Sequence, residues 1–264
     1  MKTTITTILL MVLMSGTLMA QDQLYQEKEF VVNKDTLKYR IMYPKGFSED
    51  KQYPLVLFLH GAGERGSDNA SQLIHGSSLF ASEENRKNFP SVVIFPQCPK
   101  ESYWANVTVD RNIHPYEIKF PAQIPPSKPL SLVMQLMDQF VEESYVKKEQ
   151  LYVGGLSMGG MGTFELLYRK PEMFAAAFAI CGGGNTETVK KYAGKTALWV
   201  FHGAKDDIVD PQLSINMVSA YLKAGGTPNF TLYEEANHNS WDAALAEPEL
   251  LPWLFSKTKP STQE

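Results

Sequence analysis

Ser157 stands where an apolar run, Leu151–Val153, meets the pattern Gly155-x-Ser157-x-Gly159 and then a helix-like segment. A strand, a sharp turn and a helix in that order lift a serine hydroxyl clear of a sheet and place it beside outward-pointing backbone N–H groups. The two glycines suit such a turn, because a β-carbon at either would crowd the bend. A serine hydroxyl is a weak nucleophile at neutral pH. It needs a base to take its proton, and the base needs an acid to orient it.

Two segments further along the chain offer those partners. The first is Phe201-His-Gly-Ala-Lys-Asp-Asp-Ile-Val209, after another apolar run. Asp206 is the preferred orienting acid. Asp207 and Asp210 are the alternatives, although Asp210 precedes Pro211 and reads as a helix N-cap. The second is Glu235-Ala-Asn-His-Asn-Ser-Trp241, which puts His238 in a short loop between a strand and a helix. His60 and His202 each precede glycine at a strand end and read as turn-stabilising, and His75 and His114 fall in polar loops. An oxyanion formed at a substrate carbonyl would need two convergent main-chain donors. Met158, directly after the serine, supplies one. Ala62, in His60-Gly-Ala-Gly63, supplies the other.

These turns require a framework. Residues 27–43 alternate around Asn33-Lys34-Asp35, which predicts a hairpin. Continuous apolar runs at 54–60, 91–96 and 151–153 predict strands covered on both faces, as do those at 174–180, 197–201 and 230–233. Val133, Leu136, Met137, Phe140 and Val141 recur at helical spacing. Further helices are expected over 158–169, over 211–224 from Pro211 to Gly225-Gly226, and over about 240–255. Strands alternating with helices imply an α/β fold with a mostly parallel sheet wrapped on both faces. The stretch 99–130 breaks the pattern with Pro115, Pro121, Pro125, Pro126 and Pro129 and with Tyr103, Trp104, Tyr116 and Phe120. It reads as a functional loop insertion or a surface flap.

The 264 residues suffice for one such domain. A formal net charge of −4 gives no general basic surface for nucleic acid. Lys2, the apolar stretch Ile8–Leu13 and Ala20 read as an export signal over residues 1–20, cleaved after Ala20. That stretch is short for a membrane anchor, so no stable membrane insertion is expected after cleavage. The catalytic domain is then 21–264, periplasmic or secreted. Cys98 and Cys181 are the two cysteines and are expected as free, buried thiols.

The motifs His60-Gly-Ala-Gly-Glu-Arg-Gly66, Gly155-Leu-Ser-Met-Gly-Gly160, His202-Gly-x-x-Asp206-x-x-Val209 and His238-Asn-Ser-Trp241 together resemble the serine α/β-hydrolases. The likeness is greatest to the phospholipase/carboxylesterase group and the related exported esterases, which include feruloyl esterases and polyhydroxybutyrate depolymerases. The resemblance implies Ser157 as nucleophile, Asp206 and His238 as its partners, Ala62 and Met158 as oxyanion donors, and no cofactor or metal. It also implies a sheet order that separates the strands before Cys98 and Cys181 by three positions. That is roughly 14 Å at about 4.8 Å per strand, too far for a disulfide. Asp210 departs from the group, whose members commonly carry proline there, and so does the 99–130 insert.

The expected activity is ester hydrolysis through an acyl-enzyme, on a small-molecule or oligosaccharide ester such as a feruloyl or acetyl ester of a plant polysaccharide fragment. A peptidase or lipase using the same residues is the alternative, and a non-catalytic binding protein the third reading. Trp104 and Trp241 are candidate walls for an aromatic acyl group or a sugar face. Glu64 and Arg65 are expected to hydrogen-bond within the oxyanion loop, to line the site, or to form a structural ion pair.

Overall fold

The computed structural model describes residues 23–121 and 123–260; the expected export signal lies outside the described residues. The framework is an eight-stranded sheet of β1 (Gln26–Val32), β2 (Asp35–Met42), β3 (Tyr53–Leu59), β4 (Val92–Pro96), β7 (Val146–Leu156), β8 (Ala176–Ile180), β9 (Ala197–Gly203) and β10 (Asn229–Tyr233). Its order is β1-β2-β4-β3-β7-β8-β9-β10. The first two strands run antiparallel to their neighbours and the rest are parallel. This is the α/β-hydrolase fold anticipated above. Asn33 and Lys34, at the tip of the first hairpin, both take positive φ (51° and 73°), as a two-residue turn matching strand twist requires.

The continuous apolar runs have the expected cause. In β3, Leu55, Leu57 and Leu59 join one core and Val56 and Phe58 the other. Successive side chains point to opposite faces, so a strand covered on both sides can spare no polar position. Helix α3 (Lys128–Val141) and helix α4 (Met158–Arg169) cover the first face, with helix α5 (Pro211–Lys223) beside them. The second face carries the short helices α1 (Ser77–Ala81), α6 (Trp241–Leu245) and α7 (Leu250–Phe255). Helix α2 (Glu83–Asn88) follows α1.

The single helix expected over 240–255 is in fact α6 and α7, with Ala246–Glu249 between them. Pro248 explains the break, because it cannot donate to a preceding turn and disfavours helix at Glu247. The 99–130 stretch contains its own two-stranded hairpin, β5 (Thr108–Asp110) with β6 (Glu117–Lys119), and its last residues already belong to α3. Pro129 fits the first turn of that helix, and Ser127 caps it by accepting from the Leu130 N–H. Cys98 and Cys181 are free and fully buried, on strands three positions apart.

Candidate active site

The C-terminal ends of the parallel strands carry the turns that matter, and register brings them level. Leu59 pairs with Gly155, Gly155 with Ala179, and Ile180 with Phe201. Ser157 follows β7 at φ 51°, ψ −116°, an unfavourable conformation for a non-glycine residue. Its main chain is held by Ser157 N–H donating to Ile180 O (2.8 Å) and by Met161 N–H donating to Ser157 O (3.0 Å). The flanking glycines are obligatory. A β-carbon on Gly155 would lie 2.8 Å from Leu59 O, and one on Gly159 would lie 2.8 Å from His60 O and closer still to Leu59 O.

The turn after β9 supplies Asp206, which is 4% exposed. The loop after β10 supplies His238. The two loops are stitched together, since Lys205 N–H donates to Ala236 O (3.0 Å) and Asp207 N–H to Asn237 Oδ1 (3.2 Å). His238 Nδ1 lies 2.8 Å from Asp206 Oδ2, and His238 Nε2 lies 3.0 Å from Ser157 Oγ. The carboxylate fixes the tautomer: Nδ1 carries the proton, which leaves the Nε2 lone pair facing the serine hydroxyl. Serine, imidazole and carboxylate, 81 and 32 residues apart in sequence, thus form one hydrogen-bonded line that can draw a proton from Ser157.

Asp206 is more heavily bonded than the motif suggested. Oδ1 accepts from the Ile208 and Val209 N–H groups (3.0 and 2.9 Å), and Oδ2 accepts from both His238 and His202 Nε2 (3.1 Å). Burial alone would raise its pKa. Hydrogen bonds from His202, His238 and Val209 outweigh burial and hold the carboxyl well below the usual carboxylate range. Asp207 is exposed and Asp210 caps α5 by accepting from Gln212 N–H (2.8 Å), so neither competes for His238.

Met158 and Ala62 share a geometric property. Each is the first residue of a helical segment, α4 and the short 3-10 turn Ala62–Glu64, and no side chain caps either start. The first N–H groups of a helix have no intrahelical acceptor, so both residues offer donors to an oxyanion. His60, fully buried, holds the turn before Ala62. Its Nδ1–H donates to Gly61 O (2.6 Å) and its Nε2 accepts from Cys98 N–H (2.9 Å). Burial pushes its pKa down to about 4, so it stays neutral.

A cleft of about 300 Å³ opens over Ser157, with Ala62, Met158, His238 and Trp241 in its wall. Trp241 stands edge-on to His238 (5.2 Å between ring centroids) and also packs against His75 and the second core. Trp104 does not line the cleft. It is fully buried in the first core, donates from Nε1 to His60 O (3.1 Å) and sits against Gly162. A buried indole needs a partner for its N–H, and the carbonyl it finds lies beneath the oxyanion turn. The insert presents Tyr103, Val109, Arg111, Tyr116 and Ile118 instead. None of these was singled out as a wall from sequence. Only the aromatic density of the insert hinted at them. His202 was read as a turn residue, although the four-residue spacing from His202 to Asp206 was on view.

Glu64 and Arg65 are not partners. Glu64 lines the cleft, with its carboxylate 4.0 Å from His60 Nδ1 and 3.8 Å from His75 Nε2. Arg65 donates to Ala62 O (2.9 Å) and Ser102 O (3.1 Å), tying the oxyanion turn to the insert. The metal-ligand types that converge among the described residues are Cys181, Asp206 and His238, within 4.8 Å. Burial raises the Cys181 thiol pKa, and the other two groups are committed to each other.

Comparisons with known proteins agree with the fold. Residues 47–248 match the phospholipase/carboxylesterase family. A thermostable esterase of known structure superposes with a TM-score of 0.82 at 32% identity, over 91% of this chain and 64% of that one. A ferulic acid esterase from Anaeromyces mucronatus shares the fold at 16% identity (TM-score 0.63; 88% of this chain, 90% of that one). A bifunctional acetylxylan esterase/xylanase from Neocallimastix patriciarum is 31% identical over 97 residues, which are 37% of this chain and 14% of that protein. The chain thus spans about a seventh of that relative and just under two thirds of the thermostable esterase.

Proposed function

Given that the chain belongs to the phospholipase/carboxylesterase family, we propose that it hydrolyses carboxylic esters with Ser157 as nucleophile. The observation that carries this reading is the unbroken line from Ser157 Oγ through His238 to Asp206, at 3.0 and 2.8 Å, set beside two uncapped helix starts.

His238 Nε2 takes the Ser157 proton as Oγ attacks the ester carbonyl, and Asp206 stabilises the imidazolium that forms. The carbonyl oxygen becomes an oxyanion held by the Ala62 and Met158 N–H groups, each such donor contributing about 3–4 kcal/mol to the transition state. Collapse expels the alcohol, which receives its proton from His238. Water then attacks the acyl-enzyme by the same route, and Ser157 is restored.

The substrate class in this reading is an acyl-decorated plant polysaccharide fragment, feruloyl or acetyl. The acetylxylan and ferulic acid esterases named above and the aromatic side chains the insert places in the cleft support it. Residues 1–20 serve as an export signal in the same proposal, supported by Lys2, Ile8–Leu13 and Ala20. Among the described residues no helix is long and apolar enough to cross a membrane.

Labelling with a fluorophosphonate and turnover of short-chain p-nitrophenyl esters, each compared with Ser157→Ala, test the chemistry. Absence of both in the parent protein would sink the proposal. Methyl ferulate, acetylated xylan, triglyceride and peptide amides then rank the substrates. Peptide cleavage ahead of every ester would replace the esterase reading with a peptidase. N-terminal sequencing of protein recovered outside the cytoplasm tests the signal, and a chain still starting at Met1 would refute it.

A further inference from the structure

The cleft has one wall whose charge is unanswered. Arg111, at the start of the loop that joins β5 to β6, lines the cleft and is fixed by two aromatic side chains. Its Nη2 donates to the Tyr103 hydroxyl (2.8 Å), and its guanidinium carbon lies 5.4 Å from the centre of the Tyr116 ring. Arg65 lies over the Tyr103 ring at 4.8 Å. Tyr103 is therefore flanked by two guanidinium groups. Among the described residues no carboxylate lies within 4.0 Å of either.

The nearest acids in sequence are turned to other groups, although Glu64 also lines the cleft and its Oε2 has no hydrogen-bond partner. Asp110 Oδ1 accepts from Asn112 N–H and Nδ2 (2.9 and 2.7 Å), and Glu117 pairs with Lys119 (3.1 Å). Asp68 accepts from Ser71, Ala70 and Gln97, and Glu64 faces His60 and His75. Arg65 spends two donors on carbonyls. Arg111 has five donors and one hydrogen bond to a protein side chain. The protein as a whole is acidic, so an acid-free arginine in the cleft wall, with Arg65 beyond Tyr103, does not reflect a generally basic surface.

We infer that the hairpin side of the cleft is a carboxylate-binding subsite, with Arg111 as the contacting cation, and that preferred esters carry a second, ionised carboxylate. This rests on the esterase reading above. Tyr103 and Tyr116 hold the guanidinium before the ligand arrives, so little side-chain freedom is lost on binding. The carboxylate can sit on the acyl chain or on the alcohol, as a uronic acid of a polysaccharide would provide.

Matched pairs of substrates test it. Monomethyl adipate against methyl hexanoate places the charge on the acyl side, and ω-acetoxyhexanoate against hexyl acetate places it on the alcohol side. Acid release gives kcat/KM for each. In one pair the charged ester is favoured by about tenfold, the range of a hydrogen bond to a charged group. That ratio falls towards one in Arg111→Gln, inverts in Arg111→Glu, and shrinks as salt rises. The pair that responds identifies the side.

The same four esters titrated into Ser157→Ala and Ser157→Ala/Arg111→Gln give the binding ratio without turnover. If the parent turns over none of the esters but Ser157→Ala still binds the charged one more tightly, the esterase reading fails and the subsite stands. If neither charged ester is favoured in turnover or binding, or if the preference survives Arg111→Gln and Arg111→Glu, the inference is overturned.

Discussion

The turn at Ser157 and the insert that follows β4 face one cleft but are held there by different physics. The turn is fixed by main chain: sheet register, hydrogen bonds from Ser157 N–H to Ile180 O and from Met161 N–H to Ser157 O, and glycines whose replacement would collide with backbone. The insert is fixed at a few points, mostly by side chains, with one main-chain bond from Tyr116 N–H to Ile208 O (2.9 Å). Asn106 N–H and Nδ2 donate to Glu165 (2.8 and 3.0 Å), which Arg169 also grips (2.7 Å). Trp104 reaches His60 O, Asn185 reaches Phe120 O (3.0 Å), and Ser127 reaches Trp104 O (2.6 Å). A frame built from backbone cannot vary without losing the reaction geometry. An insert pinned at a handful of points can change what it presents between them, and here it presents one wall of the cleft.

The contrast is sharpest at the reacting groups. Ser157→Ala is expected to lower kcat by about a millionfold, because residues that act as one unit fail together. A p-nitrophenyl acetate assay reads the loss. A residual rate within a hundredfold of the parent would place the nucleophile elsewhere.

Asp206→Asn is expected to cost about ten thousandfold in kcat, since an amide no longer selects the His238 tautomer. The same variant has a signature in stability. The folded-state pKa of Asp206 is depressed, so its contribution is complete above the unfolded value near pH 4 and is lost as pH falls through the folded one. Asparagine does not titrate. The stability gap between parent and variant in urea unfolding is therefore wider at pH 7 than at pH 3. A gap that widens on acidification would contradict the hydrogen-bond account of this carboxylate.

What was legible in the sequence follows the same division. Five apolar runs and the hairpin at Asn33-Lys34 declare themselves locally, because a strand buried on both faces admits no polar position; the sixth, β10, is instead a partly exposed edge strand with Leu232 43% exposed. The serine turn is legible because its glycines are forced by backbone contact. His202 escaped because its role depends on a contact with Asp206 across a turn, and the spacing alone also fits a turn-stabilising imidazole. Trp104 misled for the opposite reason. An aromatic residue in a loop suggests a binding wall, and only packing shows that this indole faces inward. The break between α6 and α7 has a local cause in Pro248, which the apolar pattern of 240–255 does not reveal.

Trp104 therefore tests whether the insert depends on the frame. Trp104→Ala removes a fully buried indole and the hydrogen bond it donates to His60 O. It is expected to cost about 3–5 kcal/mol of unfolding free energy, read as a lower urea midpoint at unchanged slope. Tyr103, the next residue, lines the cleft, so KM for bulky esters should rise as well. A loss below about 1 kcal/mol would mean that the insert is held without its indole.

His202 gives the smallest effect and the finest cut, because it belongs to the frame without touching the cleft. Its Nε2 lies 3.1 Å from Asp206 Oδ2 and 3.0 Å from Val209 O, while Nδ1 lies 2.7 Å from Ser214 Oγ, which itself donates to Gly182 O (2.8 Å). Nε2 faces two acceptor oxygens and so carries the proton it shares with Asp206 Oδ2. The imidazole thus links helix α5 and, through Ser214, the turn after β8 to the carboxylate that orients His238. Removing one charge-assisted hydrogen bond costs about 1.5–3 kcal/mol, so His202→Ala is expected to lower kcat by roughly 10–100-fold with KM little changed. His202→Gln, whose amide N–H can approach the Nε2 position, should recover most of it. A purely structural histidine would show the loss in thermal stability alone, with kcat per folded molecule intact and no rescue by glutamine.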